Sequence, residues 1–268
     1  MSVRKTGYWF GALPIRSAWV LVVASLVAVA MVGCASHRKA EKRKDDASDY
    51  NTQLGIAYLR QGDVPLAKEK LDRALKENPN NPTVHSARAM LFDRMNQPDL
   101  ADREFQTALS LAPNDPDISN NYAVYLCQIG KADQGVKRFE VVAKNALYRT
   151  PWIAYTNAGV CLRRAKKDAA AIANFKQALQ LRPNFAEAAY QLASLQFGDG
   201  DLVGARTEVD KYLNAFDETP DLLLLGVRIA RAQNDRVGII LYSRKLRLDF
   251  PASDQAKALA EIEHSPPG

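Results

Sequence analysis

Between Ser48 and Asn81 the apolar residues fall into two runs of helical spacing. Leu54 and Tyr58 lie four apart on one face of a first helix, and Gly55 between them lets a second helix approach closely. Ala67, Leu71 and Ala74 repeat the i, i+4, i+7 spacing on that second helix, with small residues where the two backbones are nearest, and Pro79 stops it. Gln61-Gly62-Asp63 is the turn between them. The pattern predicts a helix-turn-helix hairpin, which cannot bury its apolar face alone and needs neighbours.

The neighbours follow in sequence. The glycine position recurs at Gly55, Ala89, Ala123, Gly159, Ala193 and Val227, at intervals of 34, 34, 36, 34 and 34 residues. The small position of the second helix reads Ala67, Ala101, Gly135, Ala171, Ala205 and Ile239, and the larger one four residues on reads Leu71, Phe105, Phe139, Phe175, Val209 and Ser243. Prolines stop the helices at Pro79, Pro113, Pro183 and Pro251. Six hairpins are expected, at 48–81, 82–115, 116–151, 152–185, 186–219 and 220–253. Residues 254–263, with Ala256, Leu259, Ala260 and Ile262 on one face, are expected to cap the open end, and 264–268 to form a tail.

This small-aromatic-proline order at this period resembles the tetratricopeptide repeat. The resemblance implies an all-α fold, a right-handed solenoid of six repeats closed by a C-terminal capping helix. The departure is the large aromatic expected early in each first helix, replaced by Asn51, His85, Ser119, Tyr155, Ala189 and Leu223. In such solenoids the first helices line a concave surface. The residues expected there are Ile56, Leu59 and Arg60, then Met90, Asp93 and Arg94, then Val124 and Cys127, then Val160, Arg163 and Arg164. Apolar side chains at these places either complete the core between hairpins or stay open for a peptide.

The chain before the repeats has another character. Residues 1–17 are basic with no acid, and Ala18 to Val32 is an apolar run, broken only by Ser25, that leads into Gly33-Cys34. That is the anatomy of a secretory signal, and the run falls short of the roughly 20 apolar residues of a spanning helix. An uncleaved membrane anchor is the alternative. Met31-Val32-Gly33-Cys34 resembles a bacterial lipobox, with Met31 where such motifs usually carry Leu. The resemblance implies that residues 1–33 are removed, that Cys34 is lipidated and that the acyl chains anchor the protein; Ala35 after the cysteine implies sorting to the outer membrane. Residues 34–47 are dense in charge, with no large apolar side chain, and are expected to be a flexible tether.

Composition then removes whole classes of function. The 268 residues are 47% hydrophobic and 25% charged, with a formal charge of +6. Arg4, Lys5 and Arg16 precede the apolar run, so a chain starting after it carries only +3, and no Arg/Lys stripe interleaved with aromatics follows. Nucleic acid is therefore not an expected partner. The three histidines, His37, His85 and His264, stand too far apart in sequence to suggest a triad or a zinc site. Gly198-Asp199-Gly200-Asp201 reads as the turn of the fifth hairpin, lacking the oxygen ligands of a calcium loop. No enzyme activity, cofactor or small-molecule substrate is expected. Cys127 and Cys161 sit at nearly equivalent points of adjacent first helices, either bridged or present as two buried thiols.

Finally, Asn120-Asn121-Tyr122-Ala123-Val124-Tyr125-Leu126-Cys127, Asn157-Ala158-Gly159-Val160-Cys161 and Leu222 to Ala230 resemble the PilF/PilW family of type IV pilus lipoproteins. Adjacent amides disfavour helix, so Asn120 and Asn121 are expected either to hydrogen-bond within the groove or to tie two helices together. The family resemblance implies a pilotin. Such a scaffold, anchored at the outer membrane through acyl chains, binds the pilus secretin through the groove and promotes its localisation and multimerisation by raising its local concentration. The alternative is a periplasmic lipoprotein adaptor that scaffolds peptidoglycan hydrolases or outer-membrane protein assembly.

Overall fold

The computed structural model describes residues 42–264, and the ordered elements among them are all helices. The first two hairpins are α1 (42–61) with α2 (Val64–Glu77), and α3 (Pro82–Arg94) with α4 (Pro98–Leu111). The third and fourth are α5 (Pro116–Gln128) with α6 (Ala132–Ala143), and α7 (Pro151–Arg164) with α8 (Asp168–Leu181). The fifth and sixth are α9 (Ala186–Gly198) with α10 (Leu202–Ala215), and α11 (Pro220–Ala232) with α12 (Arg236–Asp249); α13 (Asp254–His264) follows. The chain divides into two compact units, Met1–Leu91 and Phe92–Gly268.

Each hairpin turns in the same way. One residue per turn lies in the left-handed region: Gly62, Asn96, Gly130, Lys166, Gly200 and Asn234, with φ between 55° and 82°. Next comes the second helix, capped in three hairpins by an aspartate: Asp63, Asp201 and Asp235 accept from the N–H groups of Leu66, Gly204 and Gly238. Prolines also start helices, as at Pro98, Pro116, Pro151 and Pro220, where the missing N–H costs nothing.

The single break in the 34-residue period has a local cause. α6 is 12 residues long where α8 and α10 have 14, and the linker that follows runs from Lys144 to Thr150, so Tyr148 can turn inward and be buried beside Phe139 and Ala154.

In the first unit, Ala67, Leu71 and Ala74 of α2 are fully buried, and a Cβ at Gly55 would strike the Leu71 side chain. In the second, Phe105, Phe139 and Phe175 fill the same slot, each contributing about 1.5–3 kcal/mol of burial. The sixth hairpin departs from this register. Ser243 is buried in the large-residue slot with no partner for its Oγ among the described residues, while the packed pair is Tyr242 against Gly226, each of these one residue ahead of its expected position.

Two boundaries differ from expectation. Residues 42–47 are helical rather than a loose tether, because this Lys/Arg/Asp/Ala stretch contains no Gly or Pro and the Asn78 amide bonds Asp45 at 2.7 Å. On α13, Leu259 is buried and Ala256, Ala258 and Ile262 pack on the core, whereas Ala260 is exposed. The signal segment 1–33, Cys34 and residues 35–41 of the tether lie outside the described residues, as do residues 265–268 of the tail.

Candidate functional site

The third and fourth first-helices, α5 and α7, form the best-defined part of the expected groove. Cys127 near the end of α5 and Cys161 near the end of α7 are joined by a disulfide, with Cα atoms 5.6 Å apart. The bridge explains a glycine. Gly135 on α6 takes the place of the alanine found at Ala101 and Ala171, because a Cβ there would lie 2.5 Å from Cys127 Sγ and 2.8 Å from the Ala123 carbonyl oxygen.

Above the bridge opens a recess of about 90 Å³, lined by Val124, Gln128, Asn157, Val160 and Arg164 with the two cysteines and Phe139 beneath. Val124 and Val160 are half-buried and Arg164 is exposed in the last turn of α7, where its charge suits the helix dipole. Arg164 has no ion-pair or hydrogen-bond partner among the described residues. Arg163, next to it, donates instead to Gln191 Oε1 at 3.0 Å, and Gln191 donates to Glu187, so α9 continues the surface as a polar network.

The expected groove residues separate into two groups. Asn120, Val124, Val160 and Arg164 come together across α5 and α7 in the second unit. Within that group Asn120 is 8% exposed and its Oδ1 accepts from Asn157 Nδ2 at 3.3 Å, so its amide ties α5 to α7 and is not open to a partner. Asn121, the next residue on α5, is half-buried. In the first unit, Ile56 and Met90 are half-buried and Arg60 is exposed, but Leu59 is 5% exposed and belongs to the core of its hairpin, a correction to its expected place in the groove. Arg94, at the end of α3, is exposed.

The residue between the groove and the core was less visible in sequence. Tyr122 on α5 donates its hydroxyl to Asp102 at 2.8 Å, and the Arg138 guanidinium lies 4.6 Å from its ring. Burial, and then the Asp102 carboxylate, push the phenol up to about 12. Chemically the recess offers aliphatic contact, the amides of Gln128 and Asn157, and the Arg164 guanidinium, unpaired among the described residues. With both sulfurs of the recess in the bridge, no nucleophile stands beside a base, and the arrangement suits binding rather than group transfer.

Comparison with known proteins agrees with this architecture. The tetratricopeptide-repeat family matches residues 48–81 and again residues 162–226. The type IV pilus assembly protein PilF of Pseudomonas aeruginosa is 29% identical over 233 residues, covering 85% of this chain and 92% of that protein. The solved structure of PilF superposes with a TM-score of 0.61 at 28% identity, over 82% of this chain and 99% of that one. The crystal structure of PilW, described as a widely conserved type IV pilus biogenesis factor, gives a TM-score of 0.64 at 30% identity, over 80% of this chain and 98% of PilW. Nearly the whole length of each relative is thus spanned by the same run of hairpins, and the chain belongs to the PilF/PilW family of tetratricopeptide-repeat proteins.

Proposed function

We propose that this chain is a non-catalytic scaffold for type IV pilus biogenesis, anchored to the outer membrane through Cys34, that holds the pilus secretin and promotes its localisation and multimerisation. The observation that carries the proposal is the kinship to pilus factors across 92% of PilF and 98% of PilW. The α5–α7 recess supports it, since an apolar floor with Asn157, Gln128 and Arg164 at its rim matches a peptide that presents an aliphatic side chain beside a carbonyl or carboxylate. The mechanism is tethering. A secretin subunit held near the membrane by an acylated scaffold meets its neighbours at a raised effective concentration, with no covalent chemistry.

Two measurements test this reading. Replacing Cys34 by Ser is expected to release both the scaffold and the secretin from the outer-membrane fraction; a secretin that still reaches the outer membrane and forms multimers rejects the anchor role. Val124→Glu with Val160→Glu is expected to abolish co-purification of the secretin while helical circular dichroism stays unchanged. Retained co-purification moves the binding site away from the recess.

A further inference from the structure

The outer face of α12 carries a row of exposed aliphatic side chains. Val237, Ile240, Leu241 and Leu248 are 76%, 67%, 47% and 66% exposed with α13 packed in place. They lie opposite Gly238, Tyr242 and Leu246, which face the core of the sixth hairpin. The equivalent places on α10, one period earlier, hold Val203, Arg206, Thr207 and Asn214, so three aliphatic residues stand where the preceding hairpin is polar. The packing of the repeats requires none of the four.

The spacing and the charge of this row describe its occupant. Val237, Leu241, Arg244 and Leu248 follow the 4-3-4 interval of a helix-pairing seam, and the 14 residues of α12 give a seat about 21 Å long. Arg244 within the row and Arg236 on its flank are exposed and form no ion pair among the described residues, and Arg247 adds positive charge on the same flank. We propose that this face receives an amphipathic helix of a partner protein, presenting aliphatic residues at heptad spacing flanked by carboxylates. This is a second binding surface, independent of the α5–α7 recess. A second copy of the chain fits less well, since antiparallel pairing of two α12 helices sets the Arg236 flank against its own counterpart. A lipid surface also fits less well, because among the described residues no exposed Trp, Tyr or Phe accompanies the row.

The test uses the full chain in detergent and a synthetic 21-residue helical peptide with Leu at the a and d positions and Glu at the flanking positions, beside a twin carrying Lys in place of Glu. Fluorescence anisotropy is expected to show the Glu peptide binding at least about tenfold more tightly than its Lys twin. Leu241→Glu with Leu248→Glu should abolish this binding, and Arg244→Glu should remove the preference for the Glu peptide. All three positions are exposed, so circular dichroism should be unchanged. Absent binding, equal binding of the twins, or binding indifferent to the variants overturns the proposal. A concentration-dependent dimer lost in Leu241→Glu assigns the face to a second copy instead, and co-sedimentation with phosphatidylglycerol vesicles lost in the same variant assigns it to lipid.

Discussion

The first hairpin and the α5–α7 pair join successive first helices by opposite means. Around α1 the join is a set of side-chain hydrogen bonds. Asn81, just ahead of α3, donates to Asp49 Oδ1 at 2.8 Å and to Ser48 Oγ at 3.4 Å; Ser48 in turn donates to the Ala74 carbonyl at 3.0 Å, and Asn51 to Glu77 at 2.9 Å. Between α5 and α7 the join is a covalent bond, with the Asn157–Asn120 contact beside it. The repeat pattern fixes how the two helices of one hairpin pack and leaves the link to the next hairpin open. One template therefore accepts a reversible polar clasp in one place and a redox-dependent staple in another.

The largest loss of stability is expected at the disulfide. Cys127→Ser with Cys161→Ser is expected to cost about 3–4 kcal/mol by the loop-closure account, read as a lower urea midpoint. Reductant should lower the wild type to the same midpoint, and a wild type indifferent to reductant would show the thiols to be free. A sharper version uses Gly135→Ala, which should cost about 1–3 kcal/mol because the new methyl meets Cys127 Sγ. Much of that cost should vanish when both cysteines are alanine, leaving the clash with the Ala123 carbonyl. At the clasp, Asn81→Ala is expected to cost about 1 kcal/mol by removing the bond to Asp49 and the cap its Oδ1 gives the Thr83 N–H, with the same loss in the presence or absence of reductant. A loss that appears only in reductant would mean the two joins are coupled.

The smallest effect is alkaline. The Tyr122 phenol keeps its proton in the fold up to about 12, chiefly through burial and then through Asp102, whereas in the unfolded chain it releases near its ordinary 10.0. The folded state thus binds more protons than the unfolded state in that window. Its share of stability is complete below pH 10 and lost as the pH rises toward 12. Tyr122→Phe should flatten the fall of the melting temperature over this range, and an identical slope would show that other groups set it.

The hairpins were legible in the sequence because each depends on a few small-large contacts that recur in register. Gly55 against Leu71 and Gly159 against Phe175 appear as the pattern requires. The surfaces were less legible. Leu59 and Ile56 share a helix and an aliphatic character, yet one is buried and the other half-open, a distinction set by packing that the spacing does not carry. Asn120 and Asn121 look alike in sequence, while the geometry gives Asn120 to Asn157. The α12 row lies outside the positions the repeat template constrains, so only the contrast of Ile240, Leu241 and Leu248 with Arg206, Thr207 and Asn214 marks it in the sequence. The helical start of α1 was hidden by its charge, since residues that solvate a coil well are also good helix formers.

One consequence of the shared left-handed turn concerns inheritance. Residues 167–200 run from just after Lys166 to Gly200, two residues with φ of 57° and 81°, and span 34 positions. Excising them joins Lys166 directly to Asp201, the same left-handed residue followed by a capping aspartate that each of the first, fifth and sixth turns already has. A recombination between two successive joints adds or removes one whole cassette without shifting the frame of the helices on either side. The length of this scaffold can therefore change in a single genetic step.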